Sequence, residues 1–231
     1  MILYTIGDSW TYGTELENPK EECYPYLLSK KLECDLVNEA QPAASNDWMF
    51  RKSIEWITKN DISNIHTFIV GWSHFNRREE QFQFYHGGEL EDMISARGDN
   101  NPMERIISEN FANLRLQAIK TFTYIYSLQE ILKKNNIKYI FYFPWEDILL
   151  QDKWYDETIK SDVHDIYLRI DRDYCIGPRL GNKQITDRIS PKLNSLHPNK
   201  EEHEFIAKKL QEFISLGDKR YRWEEVARRK K

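Results

Sequence analysis

Apolar positions fall along this chain in two modes: short unbroken runs, and longer stretches that repeat every three to four residues. Residues 2–6 form a run stopped by Gly7, the pattern of a strand covered on both faces. Residues 24–32 carry helical spacing, and residues 35–38 read as a second short strand. Ser45-Asn46-Asp47 offers capping oxygens just before Trp48, Met49, Phe50, Ile54 and Ile57, so a helix is predicted to begin there. The clearest strand is 65–70, ending at Gly71. A long helix is predicted over 109–134, with Phe111, Leu114, Ala118, Phe122, Ile125 and Leu128 facing inward. Residues 138–143 then read as a strand closed by Pro144. One more strand is expected from 166–170 or 174–176, and a final amphipathic helix over 199–214.

Strands alternating with helices predict an α/β protein: a three-layer α/β/α sandwich on a parallel sheet. In such sheets ligands collect beyond the carboxyl ends of the strands. Three predicted strands lead there into Gly7-Asp8-Ser9, Ala43 to Asn46, and Gly71-Trp72-Ser73.

The length of 231 residues suits one domain over 1–218, with an insertion at 72–108 marked by Gly87-Gly88, Gly98 and Pro102. Residues 219–231 form a basic tail of seven Lys or Arg, interleaved with Glu224 and Glu225. Lys and Arg total 33 against 37 Asp and Glu, so there is no global nucleic-acid footprint and no such partner is expected. No apolar run reaches membrane-spanning length, and the N-terminus reads as a strand rather than a leader. Three widely spaced cysteines (Cys23, Cys34, Cys175) fit reduced thiols. A cytoplasmic location is therefore expected.

Candidate chemistry concentrates at two points. A serine at the turn after the first strand, in Gly7-Asp8-Ser9-Trp10-Thr11-Tyr12-Gly13, is held by backbone with its N–H at a helix start, where it can help hold an oxyanion. Far downstream, Asn194-Ser195-Leu196-His197-Pro198-Asn199 sets a histidine on a loop ahead of the last helix. A serine hydroxyl is a weak nucleophile at neutral pH and needs such a base. The six histidines show no ligand spacing with carboxylates or cysteines; no phosphate-binding glycine pattern occurs. No metal or cofactor is expected.

With Gly-Asp-Ser after the first strand, a small-residue loop after the second, a Gly-x-x block after the third and His-Pro before the last helix, the chain resembles the SGNH/GDSL hydrolases. The resemblance implies a five-stranded parallel sheet of flavodoxin-like build and activity on acyl esters, by hydrolysis or transfer. It implies Ser9 as nucleophile and His197 as general base. Ala43 stands where the family has an oxyanion glycine, and Ser73 where it has an oxyanion asparagine, for which Asn46 or Asn76 are alternatives. Asn194 stands where the family has the aspartate that orients the histidine, a role otherwise open to Asp187 or a backbone carbonyl.

After the third strand come Trp72, His74, Phe75, Arg77 and Arg78, then Phe82, Phe84, Tyr85 and His86. Aromatics with arginines suit stacking on a sugar ring or pairing with an anion. Substrate contacts are thus expected from Asp8, Trp10, Asn46, Trp72, His74 and Arg77, with Trp145 as a further wall, and a small-molecule or carbohydrate ester as substrate. The alternative is an SGNH-fold binding or structural module that has lost turnover.

Overall fold

The computed structural model describes residues 1–74, 77, 80–86, 89–95, 114–144, 165–176 and 197–215. In chain order its elements begin with β1 (Ile2–Gly7), α1 (Ser9–Tyr12), α2 (Pro19–Glu22), α3 (Tyr24–Lys31) and β2 (Asp35–Asn38). Next come α4 (Asn46–Lys59), β3 (Ile65–Gly71), β4 (Glu80–His86) and β5 (Glu89–Ser95). The series ends with α5 (Leu114–Lys134), β6 (Tyr139–Tyr142), β7 (Cys175–Ile176) and α6 (Lys200–Ser215).

Side chains alternate along each strand, so a doubly covered sheet sends neighbouring residues into different cores. Tyr4, Ile6, Phe68, Val70 and Phe141 join one core with Met49 of α4 and with Phe122 and Leu128 of α5. Leu3, Ile69, Ile140 and Tyr142 join the other, with Tyr24 and Leu28 of α3 and with Ile206 and Leu210 of α6. The result is a three-layer α/β/α sandwich, as the hydrophobic pattern predicts. Leu128 is fully buried, and truncating such a side chain to alanine costs about 2–5 kcal/mol.

The five-stranded sheet runs β2-β1-β3-β6-β7, with every adjacent pair parallel. From β1 the chain moves to one side, to β2, and then crosses to β3 on the other. That reversal puts a topological switch point between β1 and β3, the place where open α/β sheets leave a crevice. Register aligns Gly7 with Gly71, Gly71 with Tyr142, and Tyr142 with Ile176, so these four residues end their strands at one level.

Within 72–108 the described residues include an antiparallel hairpin, β4 paired with β5 from Glu80 and Ser95 to His86 and Glu89. Its signal was present: polar and aromatic residues alternate over 81–84, and Gly87-Gly88 separates the two runs. His203, in the last helix, is fully buried. Of the two options for a last strand, residues 165–169 are helical and Cys175–Ile176 supplies β7. Asn76, Trp145, Asp187, Asn194 and the tail 219–231 lie outside the described residues. Among the described residues, no helix is long and apolar enough to cross a membrane.

Candidate active site

The turn after β1 is built by close approach. A Cβ placed on Gly7 would lie 2.1 Å from Thr11 Oγ1, and one on Gly71 would lie 2.3 Å from the same atom. Glycine at both strand ends therefore lets the single turn α1 settle onto the sheet edge. Thr11 Oγ1 in turn lies 3.0 Å from the Tyr24 hydroxyl, joining α1 to α3. Asp8 caps α1 by accepting from the Trp10 N–H, and Gly13 closes it in the left-handed region at φ 88°.

Asp8 has no solvent exposure and collects donors from three residues. Its Oδ1 accepts from the Trp10 N–H at 3.0 Å. Its Oδ2 accepts from the Ser73 hydroxyl at 2.9 Å and from Arg77 Nη1 at 2.8 Å. Asn46, at the start of α4, grips Ser73 from the other side. Its Oδ1 accepts from the Ser73 N–H at 2.8 Å, while its Nδ2 donates to the Ser73 carbonyl at 2.9 Å and to Thr121 Oγ1 at 3.3 Å. Asp8, Asn46, Ser73 and Arg77 are thus brought together across the β1–β3 switch point, as one buried polar floor.

Ser9 opens α1 and is 4% exposed, and its hydroxyl has no hydrogen-bond partner among the described residues. Ala43 lies in the loop after β2 at φ 64°, a conformation that favours glycine. Among the described residues its N–H donates to no acceptor. Tyr142 is fully buried, and burial pushes its hydroxyl well above the ordinary range, with Tyr24 and Asp8 adding to the shift. Trp72 is also fully buried, edge-on to Phe141 in the core, and Trp10 lies in the opposite core. Trp10 and Trp72, both expected to contact substrate, thus pack inward, while His74 is half-buried.

His197 does not hydrogen-bond to Ser9. Its Nδ1 lies 2.8 Å from Glu15 Oε1, with the imidazole 18% and the carboxylate 50% exposed. The segment around it docks on the first sixth of the chain: Pro198 is buried, and Lys200 pairs with Glu22 at 2.8 Å. That contact holds the Glu22 carboxyl below its usual range. His203, one turn into α6, accepts from the Tyr24 N–H through Nδ1 at 3.1 Å and stacks on the Tyr24 ring. No group of three or more His, Cys, Asp or Glu suited to a metal ion occurs among the described residues.

Residues 11–221 match a protein family described as Family of unknown function (DUF6071). The chain belongs to this family. No curated protein matches it. Solved structures share the fold of this DUF6071 chain at low identity. The psychrotrophic esterase EstA from Pseudoalteromonas sp. is 12% identical, at a TM-score of 0.53 over 93% of this chain and 96% of that one. A putative lipolytic protein of the G-D-S-L family from Desulfitobacterium hafniense DCB-2 is 15% identical, at a TM-score of 0.50 over 92% and 98%. A carbohydrate esterase family 2 enzyme from Corynascus thermopiles, carrying a carbohydrate binding domain, is 12% identical at a TM-score of 0.50 over 93% and 65%. The likeness is one of fold: this DUF6071 chain has the architecture of esterases.

Sequence reasoning missed Glu15 in this DUF6071 chain. It is one acid among many, and no motif spacing marks it. The one available signal was proximity, since it stands six residues after the candidate serine.

Proposed function

We propose that this protein is a serine acyl-ester hydrolase or acyltransferase with Ser9 as nucleophile and His197 as base. The observation that carries this reading is the meeting of two distant segments. Ser9, buried with an unpartnered hydroxyl, starts the turn after β1; His197, from the far end of the chain, is tied to the loop that follows that same turn. In the reaction the Ser9 oxygen bonds to the acyl carbon and its proton passes to His197. Collapse of the tetrahedral intermediate breaks the bond to the leaving alcohol, which takes that proton. Water, or an acceptor alcohol, then attacks the acyl-serine, giving up its proton through His197 and freeing Ser9.

The oxyanion is assigned to the Ser9 and Ala43 N–H groups. Support comes from the left-handed backbone at Ala43, which is where a glycine would be at ease, and from its undirected N–H. Ser73 adds a third donor only by turning its proton away from Asp8. A missing donor of this kind costs on the order of 10²–10³ in rate, so turnover is expected to be slow. Because Trp10 and Trp72 pack inward, substrate contact is assigned to His74, with an ester of a small alcohol or carbohydrate as substrate.

Labelling with a fluorophosphonate probe tests this reading. An adduct at Ser9 is expected, absent in Ser9→Ala and slower in His197→Ala. A folded protein that takes no adduct would overturn it. One observation favours a second reading, a binding module without turnover: the Ser73 hydroxyl is already committed to Asp8. That module would bind ester or sugar probes yet leave Ser9 unlabelled.

A further inference from the structure

We infer that Glu15 is the positioning residue of the base: its carboxylate holds His197 by Nδ1, so that Nε2 is the nitrogen that serves Ser9. The inference rests on the hydrolase reading and adds the residue that orients the imidazole. A base must present one defined tautomer to its nucleophile, and the group bonded to the other ring nitrogen chooses it. The contact that does this is the 2.8 Å pair between His197 Nδ1 and Glu15 Oε1. Asn194, in the position the family resemblance points to, is neutral. A carboxylate accepts the Nδ1 proton and also stabilises the imidazolium that forms when Ser9 gives up its proton.

Three features make Glu15 a fixed part of the nucleophile's own turn. The Gly13 and Thr14 N–H groups both donate to the Ser9 carbonyl at 3.0 Å, and the Leu16 N–H donates to the Gly13 carbonyl at 3.2 Å. Glu15 itself sits at φ 74°, a left-handed conformation that is strained for a non-glycine residue and persists where its surroundings impose it. On the other side, Lys200–Glu22 and the His203–Tyr24 bond clamp the histidine segment to the chain just beyond Glu15. The acid and the nucleophile therefore share one turn, and the base is registered to both through the His197–Glu15 hydrogen bond.

The test combines labelling kinetics with proton NMR on the full chain. Replacing the buried aspartate of a serine-protease triad by asparagine costs about 10⁴. Glu15 is half exposed, so Glu15→Gln is expected to slow fluorophosphonate labelling by about 10- to 100-fold, since solvent screens an exposed pair. The concentration that half-saturates labelling should stay unchanged, because Glu15 touches no part of the probe. Glu15→Asp should recover part of the rate. The hydrogen-bonded Nδ1–H resonance of His197, assigned by its absence in His197→Gln, should be seen in the parent chain and vanish in Glu15→Ala. A Glu15→Gln protein that labels at the parent rate, or a Glu15→Ala protein that keeps that resonance, would overturn the inference while leaving Ser9 and His197 in place. A folded parent protein that takes no label overturns the hydrolase reading, and this inference falls with it.

Discussion

Asp8 and Glu15 are two acids that flank the short helix α1, and the fold treats them in opposite ways. Asp8 sits on the floor of the site without solvent contact and gathers a backbone N–H, a hydroxyl and a guanidinium. Glu15 sits at the rim, half exposed, against the His197 imidazole. Burial makes the first a structural necessity, because an ionised carboxylate out of water must be neutralised where it stands. Exposure frees the second to influence chemistry at little cost to folding. Seven positions along the chain separate a fastening from a handle.

The largest expected effect breaks the floor. Arg77→Ala leaves Asp8 as an uncompensated buried charge, and urea unfolding should show a loss of about 3–5 kcal/mol. Pairing that change with Asp8→Asn should recover much of the loss. A fall below about 1 kcal/mol would mean that the N–H and hydroxyl donors satisfy Asp8 without the guanidinium.

The next effect concerns the junction between floor and rim. Burial holds His203 down to about 4 from the ordinary 6.5, with Glu22 opposing the shift and His197 adding to it. The unfolded chain takes this proton near pH 6.5 and the folded chain only near pH 4. His203 therefore contributes stability that is whole above pH 6.5 and is lost as pH falls toward 4, roughly 3 kcal/mol in all. Urea midpoints across that window should fall more steeply for the parent protein than for His203→Gln. Equal slopes would remove His203 from the account.

A smaller change tests the packing of α1 on the sheet. Gly71→Ala drives a methyl group into Thr11 Oγ1, and overpacking of this kind costs about 1–3 kcal/mol. The double variant Gly71→Ala with Thr11→Ala should be more stable than adding the two single changes suggests, because the second removes the obstructing oxygen. Strict additivity would mean that the strain is relieved elsewhere. Smallest of all, Glu15→Gln should alter stability by less than about 1 kcal/mol, as exposed ion pairs do, even while labelling of Ser9 slows. A large loss of stability would make Glu15 a second fastening and erase the contrast with Asp8.

Legibility in the sequence followed the range of the forces involved. The runs 2–6 and 65–70 were readable because a doubly covered strand must be apolar throughout, and the spacing of Ala118, Phe122, Ile125 and Leu128 because a helix buries one stripe. The Ser45 cap was readable because a cap acts within three residues, and its hydroxyl accepts from the Trp48 N–H. The hairpin at 80–95 was missed although its alternation and Gly-Gly pair are local, which is a failure of reading rather than of information. His203 was different. It stands three, four and seven residues before Ile206, Ala207 and Leu210, on the buried stripe of α6, and only its partner, the Tyr24 N–H, follows from α6 docking on α3.

By itself the sequence determined the layers, four of the five strands of the parallel sheet and the two candidate points at Ser9 and His197, since hydrophobic period and turn composition act between near neighbours. Only the tertiary structure decided the company those residues keep. It turned Trp72 and Trp10 inward, spent Ser73 and Arg77 on Asp8, and set Glu15 against His197. Hydrogen bonds and ion pairs across dozens of residues leave no spacing in the chain. They depend on how helices settle on a sheet, which the packing of the whole core selects.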